Sequence, residues 1–294
     1  MADTTDRSLI SAAQLNRHKV TYRVVLTLVI VVFTLIFIGP LYFLFTDGLK
    51  STSEAVQVPP TIVPAHVHPG TYASAWSRVG IGRLLVNTLY YAFGALAFQL
   101  VFDVAAAYSL SRLRPVLGNV IFALMLATLM IPATVLVVPQ YVTVSDLPLL
   151  HLNLIGSPEA IWLPSVANAF NIFLLKRFFD SIPSELLAAA AIDGASPLRT
   201  LRSVVLPISR PIIGVVSIFA LVATWKDFLW PLLVEYGYNP NRETLNVGIF
   251  EAASTTPQNL VLAASAMAAV PTLVFFLFFQ RNILSGLTAG SLKG

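Results

Sequence analysis

Long apolar runs alternate with short polar segments along most of the 294-residue chain. A helix needs about 20 apolar residues to cross a hydrocarbon layer of roughly 30 Å. Every backbone N–H and C=O group in lipid must be bonded within the protein, so runs this long indicate helices rather than barrel strands. The pattern predicts an all-α, polytopic membrane protein. Its six transmembrane helices are expected at residues 24–45, 84–110, 119–138, 160–175, 212–234 and 260–279.

The runs divide the chain into three parts. Residues 1–19 are expected to form a cytosolic N-terminal segment, 20–280 the six-span domain, and 281–294 a cytosolic tail. The first run is longer than the 7–15 apolar residues of a signal peptide and lacks a small-residue cleavage site after it. We therefore expect it to remain as the first span.

Composition supports a membrane protein and excludes several function classes. Charged residues make up 11% of the chain and hydrophobic residues 56%, whereas soluble domains have about 25% charged residues. The absence of cysteine excludes disulfides and thiolate chemistry. His66 and His68 have no acidic or cysteine companion nearby, so no metal site is expected.

Basic residues set the orientation, because they concentrate on the cytosolic side of membrane proteins. An even number of spans places both termini on one side. With that side cytosolic, the inner segments hold Arg7, Arg17, Lys19, Arg23, Arg112, Arg114, Lys176, Arg177, Arg199, Arg202, Arg210, Arg281 and Lys293, and the outer ones hold Lys50, Arg78, Arg83 and Arg242. Both termini are thus predicted to be cytosolic. The net charge of +4 then reflects topology, and no nucleic-acid partner is expected.

The polar segment 181–211 interrupts the apolar sequence on the predicted cytosolic face. Pro183 and Glu185 suit the first turn of a short helix, and Asp193-Gly194 suits its end. Ser196-Pro197 would start a second helix that Leu206-Pro207 ends. The alanines at 188–191 leave a narrow helix that suits a groove on a partner, although Asp193-Gly194 also commonly ends an ordinary surface helix.

The same segment carries a family resemblance. The residues Pro183-x-Glu185-Leu186, Ala189-Ala190-x-Ile192-Asp193-Gly194-Ala195-Ser196, Leu206-Pro207 and Pro211 resemble the loop of permease subunits in binding-protein-dependent ABC importers. Stretches elsewhere resemble the sugar-importer branch, specifically the six-span partner of the maltose-type pair. They are Asn87-Thr88-Leu89, 106–112, 130–132, 139–141, 173–179, Trp225-Lys226-Asp227-Phe228-Leu229-Trp230-Pro231 and 286–294.

The resemblance implies an assembly in a bacterial inner membrane. A second permease subunit would share the pathway for a carbohydrate, two ATPase subunits would lie beneath, and an extracytoplasmic sugar-binding protein would lie above. The surface coupled to the ATPase would comprise Glu185, Ala189, Ala190, Asp193, Gly194 and Ala195, with Leu206 and Pro207 positioning the return. Tail residues Gly286, Leu287, Thr288, Gly290 and Gly294 would reach toward the ATPase dimer.

One position departs from the family pattern. A glutamate usually stands directly before the paired alanines, whereas this chain has Ala188 there. A salt bridge from that glutamate to the ATPase would be absent unless Glu185, about one turn away, replaces it.

The energy source separates the main alternatives. The chain has no G-x-x-x-x-G-K-[ST] phosphate loop, so ATP would be bound by partner subunits and no cofactor is expected in this chain. An ion-coupled secondary transporter for a small polar solute is the alternative. A membrane enzyme is disfavoured, because the sequence shows no nucleophile and base pair, metal cluster or paired carboxylates.

A few residues within the apolar runs suit a solute pathway. Asp103, Lys226 and Asp227 are the ionisable residues there, and such residues commonly mark pathways in membrane proteins. Tyr90 and Trp225 are aromatic platforms for a sugar ring. The competing interpretation is burial against the partner permease.

Overall fold

The computed structural model describes residues 19–289, with side chains described for 20–278. Over this part of the chain the protein consists of α-helices with three π-helical segments. The β pairing found among these residues is one isolated bridge, between Leu147 and Leu152. The all-α prediction is therefore confirmed.

The first helix is almost wholly exposed. Helix α1 spans Lys19–Asp47, and its apolar side chains are exposed over most of its length. A helix that is apolar on all sides suits a lipid environment. The short helix α2, Thr52–Ala55, follows it. Between the two helices, Lys50 is buried and its Nζ forms an ion pair with Oδ1 of Asp47 at 2.5 Å.

The second span is much longer than predicted. Helix α3, Gly70–Ala75, continues through a π-helical turn at Trp76–Gly80 into α4, Ile81–Tyr108, and a π-helical turn at Ser109–Leu113 follows. The 44 residues together form one run. The helix at Gly70–Ala75 is thus continuous with the span.

The third and fourth predicted spans are both broken. Helices α5, Gly118–Thr128, and α6, Ala133–Ser145, meet at 109° next to Pro132. The prediction of one helix over 160–175 is wrong. Helix α7, Glu159–Trp162, is separated from α8, Ala169–Ser181, because Pro164 disfavours helical geometry before it and Asn168 caps a new helix.

Segment 181–211 contains the two predicted helices. Helix α9 is Ser184–Ile192, and the second consists of α10, Pro197–Thr200, a π-helical turn at Leu201–Val205, and α11, Leu206–Ile208.

The predicted stop at Leu206-Pro207 is confirmed to within one residue. The helix continues to Ile208 and bends by 83° at Ser209 into the next span. A proline removes one N–H donor and crowds the preceding turn, and the wider π-helical turn just before Pro207 relieves that crowding.

The last two predicted spans also differ from their expected bounds. Helix α12, Arg210–Lys226, stops at Asp227, and α13, Leu229–Val234, follows, so the predicted 212–234 span is broken. Helix α14 is Leu245–Ala252. Helix α15, Gln258–Ala289, extends ten residues beyond the predicted end of the sixth span at 279.

Among residues 19–289, three helices are long and apolar enough to cross a membrane, and the number rises to five if each bent pair is one span. The six-span count stays a prediction.

Helix α4 is at the centre of the packing. It packs most extensively against α12 and α8, and also contacts α7 and α14. Its inner end joins a hydrophobic cluster with residues of α8 and α12, including Phe179 and Val216. Its outer end joins a second cluster with α15. The segment containing α9 is therefore attached to a helix that spans the whole packed body.

Candidate functional site

Helix α9 ends in a Schellman motif. The Ala195 N–H donates to the Ala190 carbonyl at 2.9 Å, and the Gly194 N–H donates to the Ala191 carbonyl at 3.0 Å. Gly194 has φ of +73°, in the left-handed region that glycine enters without a Cβ penalty. The sequence prediction that Asp193-Gly194 ends this helix is confirmed.

The helix has an inner and an outer face. Leu187 packs on the hydrophobic cluster beneath, and Ala190 and Ala195 are half-buried. Glu185 and Ala189 are exposed on the opposite face, as Asp193 and Gly194 are at its end. Ala188 lies on this face next to Glu185, so the missing family glutamate would have been exposed as well.

Two exposed apolar side chains extend this face, and the sequence prediction did not include them. Ile192 is 87% exposed and Leu198 is 54% exposed. With Leu186, at 45%, they form an apolar surface around the narrow alanine stretch. Exposed apolar patches of this kind commonly mark protein interfaces. In the sequence, the signal for this surface was the presence of Ile192 and Leu198 on either side of the polar Asp193-Gly194 turn.

The second helix begins with a side-chain cap. The Ser196 hydroxyl accepts from the Arg199 N–H at 3.4 Å, with Pro197 at the first helical position. Arg199 and Arg202 are exposed, Leu206 is half-buried and Pro207 is exposed. The prediction that Ser196-Pro197 starts this helix is confirmed.

Polar side chains at the inner end of α4 hold both flanks of α9. The Tyr108 hydroxyl donates to the Pro197 carbonyl at 3.0 Å, after the helix. Before it, Arg112 donates to the Ile182 carbonyl at 2.9 Å and to the Phe179 carbonyl.

The same attachment includes Ser111, which donates to Asp180 at 2.6 Å. A cavity of about 310 Å³ lies between this end of α4 and the inner face of α9. We call Tyr108, Ser111 and Arg112 the inner clamp. Sequence reasoning used Arg112 only as a topology marker and missed this role.

The pathway candidates separate into two places. Trp225 and Lys226 line an open groove of about 480 Å³ with Phe228, Asn246, Ser265 and Thr272 among its walls. Lys226 forms no ion pair with any described side chain. Asp227, half-buried beside the groove, starts α13 and accepts from the Trp230 N–H at 3.4 Å.

Asp103 and Tyr90 lie away from that groove. Asp103 is fully buried and accepts from the Asn168 N–H at 2.9 Å, so it supports the break before α8. Tyr90 is 53% exposed and packs edge-on against Trp162 at 5.2 Å. The structure therefore brings Trp225, Lys226 and Asp227 together and places Asp103 and Tyr90 elsewhere.

The tail candidates lie beyond the described side chains. Gly286, Leu287 and Thr288 fall in the last turns of α15, where only the backbone is described. Gly290 and Gly294 lie outside the described residues.

Comparison with known proteins identifies the family. The sequence model of the family described as "Binding-protein-dependent transport system inner membrane component" matches residues 99–288, which contain α9 and the whole inner clamp. A sn-glycerol-3-phosphate transport system permease protein, UgpE of Rhizobium meliloti, is 30% identical over 88% of this chain and 94% of its own length. The melibiose/raffinose/stachyose import permease protein MelC of Bacillus subtilis is 30% identical over 87% and 91%.

A solved structure shows the same fold. A chain of a bacterial ABC transporter involved in the import of the acidic polysaccharide alginate superimposes with a TM-score of 0.76, at 21% identity, over 93% of this chain and 99% of that one. These findings confirm the predicted ABC importer permease and favour it over an ion-coupled carrier. The chain belongs to the inner membrane components of binding-protein-dependent transport systems.

Proposed function

We propose that this permease imports a carbohydrate or a carbohydrate-derived solute, and that segment 181–211 couples it to an ATPase dimer. The carrying observation is the exposed face of α9, where small and apolar side chains surround a glycine-terminated helix held from behind by the inner clamp. A narrow apolar helix that is supported on one side is suited to enter a cleft on a partner.

The partners and placement extend this proposal. A second permease would share the pathway, an extracytoplasmic binding protein would deliver the solute, and both termini would be cytosolic, with 281–294 directed at the ATPase through Gly286, Leu287, Thr288, Gly290 and Gly294. ATP would be bound by the ATPase, so this chain would need no cofactor and catalyse no reaction. The domain division into 1–19, 20–280 and 281–294 belongs to the same proposal.

Two observations support the solute class. The named relatives are permeases for sn-glycerol-3-phosphate and for melibiose, raffinose and stachyose. The groove at Trp225 combines aromatic rings with hydroxyl, amide and ammonium groups. Aromatic faces and hydrogen-bonding groups together suit a polyhydroxylated solute. We assign Trp225, Lys226 and Asp227 to the pathway at this groove. Tyr90 and Asp103 lie away from the groove and would border another part of the pathway.

The coupling assignment can be tested by placing a charge on the exposed face. Ile192→Glu should reduce copurification of the ATPase and ATP-driven uptake by proteoliposomes, because the carboxylate would have to be desolvated in the cleft. Val116→Glu is the matched control, since Val116 is fully exposed in the turn just after the inner clamp and outside this face. Wild-type copurification and uptake in Ile192→Glu would contradict the assignment.

A further inference from the structure

Helix α4 is hydrogen-bonded at both ends to segments that lie on opposite sides of the packed body. Its inner clamp bonds the flanks of α9, as described above. At its outer end, the Asn87 side chain donates to the carbonyls of Asn241 at 2.8 Å and Glu243 at 3.0 Å. The Thr88 hydroxyl accepts from the Leu245 N–H at 2.8 Å. We call Asn87 and Thr88 the outer clamp.

The two clamps are separated by a regular helix. Asn87 and Tyr108 are 21 residues apart, which corresponds to roughly 32 Å at the helical rise of 1.5 Å per residue. Between them, α4 packs on α8 and α12, and Ala92, Ala95 and Ala107 of α4 are buried. Small side chains allow close helix packing in membranes. This stretch is therefore a stiff connection.

The covalent connections from α9 are less direct. Toward α12 the chain passes a π-helical turn and the 83° bend at Ser209, and toward α8 it passes the non-helical Ile182. Bends and π-helical segments are places where a helix changes direction. A displacement of α9 can thus be absorbed along the chain, whereas the inner clamp passes it to α4.

We propose that α4 is a strut that transmits displacement of the coupling helix to the outer segment 241–245, with Tyr108, Ser111, Arg112, Asn87 and Thr88 as its positioning residues. This strut proposal rests on the proposed coupling function of segment 181–211. The consequence is that the outer face responds to the ATPase through hydrogen bonds of one helix. Loss of either clamp leaves both halves folded and separates their movements.

The experiment uses the assembled complex in nanodiscs. This chain has no cysteine, so Val67→Cys and Pro240→Cys, both exposed outside α4, can carry a spin-label pair when the partner subunits are cysteine-free. Pulsed dipolar spectroscopy then measures the distance between the two outer segments without and with ATP and binding protein. The variants are Asn87→Leu at the outer clamp and Tyr108→Phe at the inner clamp.

We expect an ATP-dependent change of label distance in the parent complex. Tyr108→Phe should reduce the shifted population by about fivefold, the effect of one hydrogen bond on a two-state equilibrium. Asn87→Leu removes two hydrogen bonds and should reduce it by at least as much. Tyr42→Phe is the matched control, because its hydroxyl also donates to a backbone carbonyl, that of Ile62 at 2.9 Å, but on α1. If Asn87→Leu fails to assemble, the nearly isosteric Thr88→Val tests the same clamp.

An ATP-dependent change that is as large in Asn87→Leu and Tyr108→Phe as in the parent overturns the strut. An effect in Tyr42→Phe equal to that in Tyr108→Phe also overturns it, because the loss would then be general. The proposed function fails in a different way, namely no copurifying ATPase and no ATP-dependent change in the parent complex.

Discussion

The indole ring of Trp162 on α7 occupies the space that a Cβ atom on Gly94 of α4 would fill. Its Nε1 donates to the Tyr91 carbonyl at 3.2 Å, and the Tyr90 and Phe98 rings lie 5.2 and 5.8 Å from it. This contact places the short helix α7 against the middle of α4. The glycine is required by a close approach, since the backbone of Gly94 has no unusual φ.

The first prediction concerns this contact. Gly94→Ala should lower the thermal midpoint of the purified complex, because an inserted methyl group in a packed site costs about 1–3 kcal/mol. Gly214→Ala is the matched control, since Gly214 is also helical and its Cβ would meet no atom within 4 Å. There the substitution should be neutral or slightly stabilising, as alanine favours helix. Equal thermal midpoints for the two variants would contradict the prediction, because they would show that the Trp162 ring moves aside without loss of stability.

The second prediction concerns the end of α9, the proposed coupling helix. Gly194→Pro should leave the subunit inserted and assembled but separate ATP hydrolysis from uptake, because proline cannot adopt φ of +73° and removes the N–H that bonds Ala191. Gly194→Ala should have a smaller effect, since its Cβ meets open space and only the left-handed backbone costs about 1–2 kcal/mol. The measurement is the ratio of solute uptake to ATP hydrolysed in proteoliposomes.

Gly237→Ala is the control for backbone strain. Gly237 has φ of +79° and an equally open Cβ position, but lies in the loop after α13. Normal coupling in Gly194→Pro, or equal losses in the two alanine variants, would count against a special role for the end of α9.

Local motifs predicted this region well because their causes are local. The glycine at a left-handed position and the Ser196-Pro197 cap act through neighbouring residues, so both were visible in the sequence. The breaks in the fourth and fifth spans were missed, because hydropathy does not distinguish a continuous helix from two short ones. Asn168 was the local signal for the first break.

Tertiary partners were beyond the reach of the sequence. Arg112 and Tyr108 donate to the carbonyls of Ile182 and Pro197, which are about 70 and 89 positions away. Because every residue has a backbone carbonyl, the residue type at 182 or 197 does not indicate these bonds. Asp103 shows the converse limit. Its charge suggested a pathway, whereas the structure places it on the N–H of Asn168.

The third prediction tests the groove at Trp225. Lys226→Met should raise the solute concentration that gives half-maximal uptake and leave basal ATP hydrolysis unchanged, because the ammonium lines the groove without an ionic partner among the described residues. Lys226→Arg should retain most uptake. Arg78→Gln removes an exposed charge outside the groove and is the control. Unchanged uptake kinetics in Lys226→Met would remove Lys226 from the pathway.

The fourth prediction is a pH dependence of the outer segments. The pKa of Glu243 is raised to about 7, mainly by burial and also by the hydrogen bond and charge of the neighbouring Glu251, while Arg83 acts against the rise. Burial also raises the pKa of Glu235 to about 7, although Tyr91 and Arg242 act against it. A carboxyl whose pKa is raised on folding stabilises the fold fully below its ordinary value near 4.5, and this contribution is lost as the pH rises through 7.

Thermal midpoints of the complex should therefore fall between pH 5 and pH 8, and Glu243→Gln should raise the midpoint at pH 8 and flatten the profile. Part of the slope should remain, because Glu235 titrates over the same range. Glu54→Gln is the opposite case, since hydrogen bonds from the Ala65 N–H at 2.9 Å and the Thr61 hydroxyl at 2.8 Å lower the pKa of Glu54. Glu54→Gln should lower the midpoint at pH 8. At that pH the Glu54 carboxylate is ionised in both the folded and the unfolded state, and only the folded state provides the two hydrogen bonds that stabilise it. A Glu243→Gln profile parallel to that of the parent would show that this carboxyl is already ionised in the folded protein at pH 5.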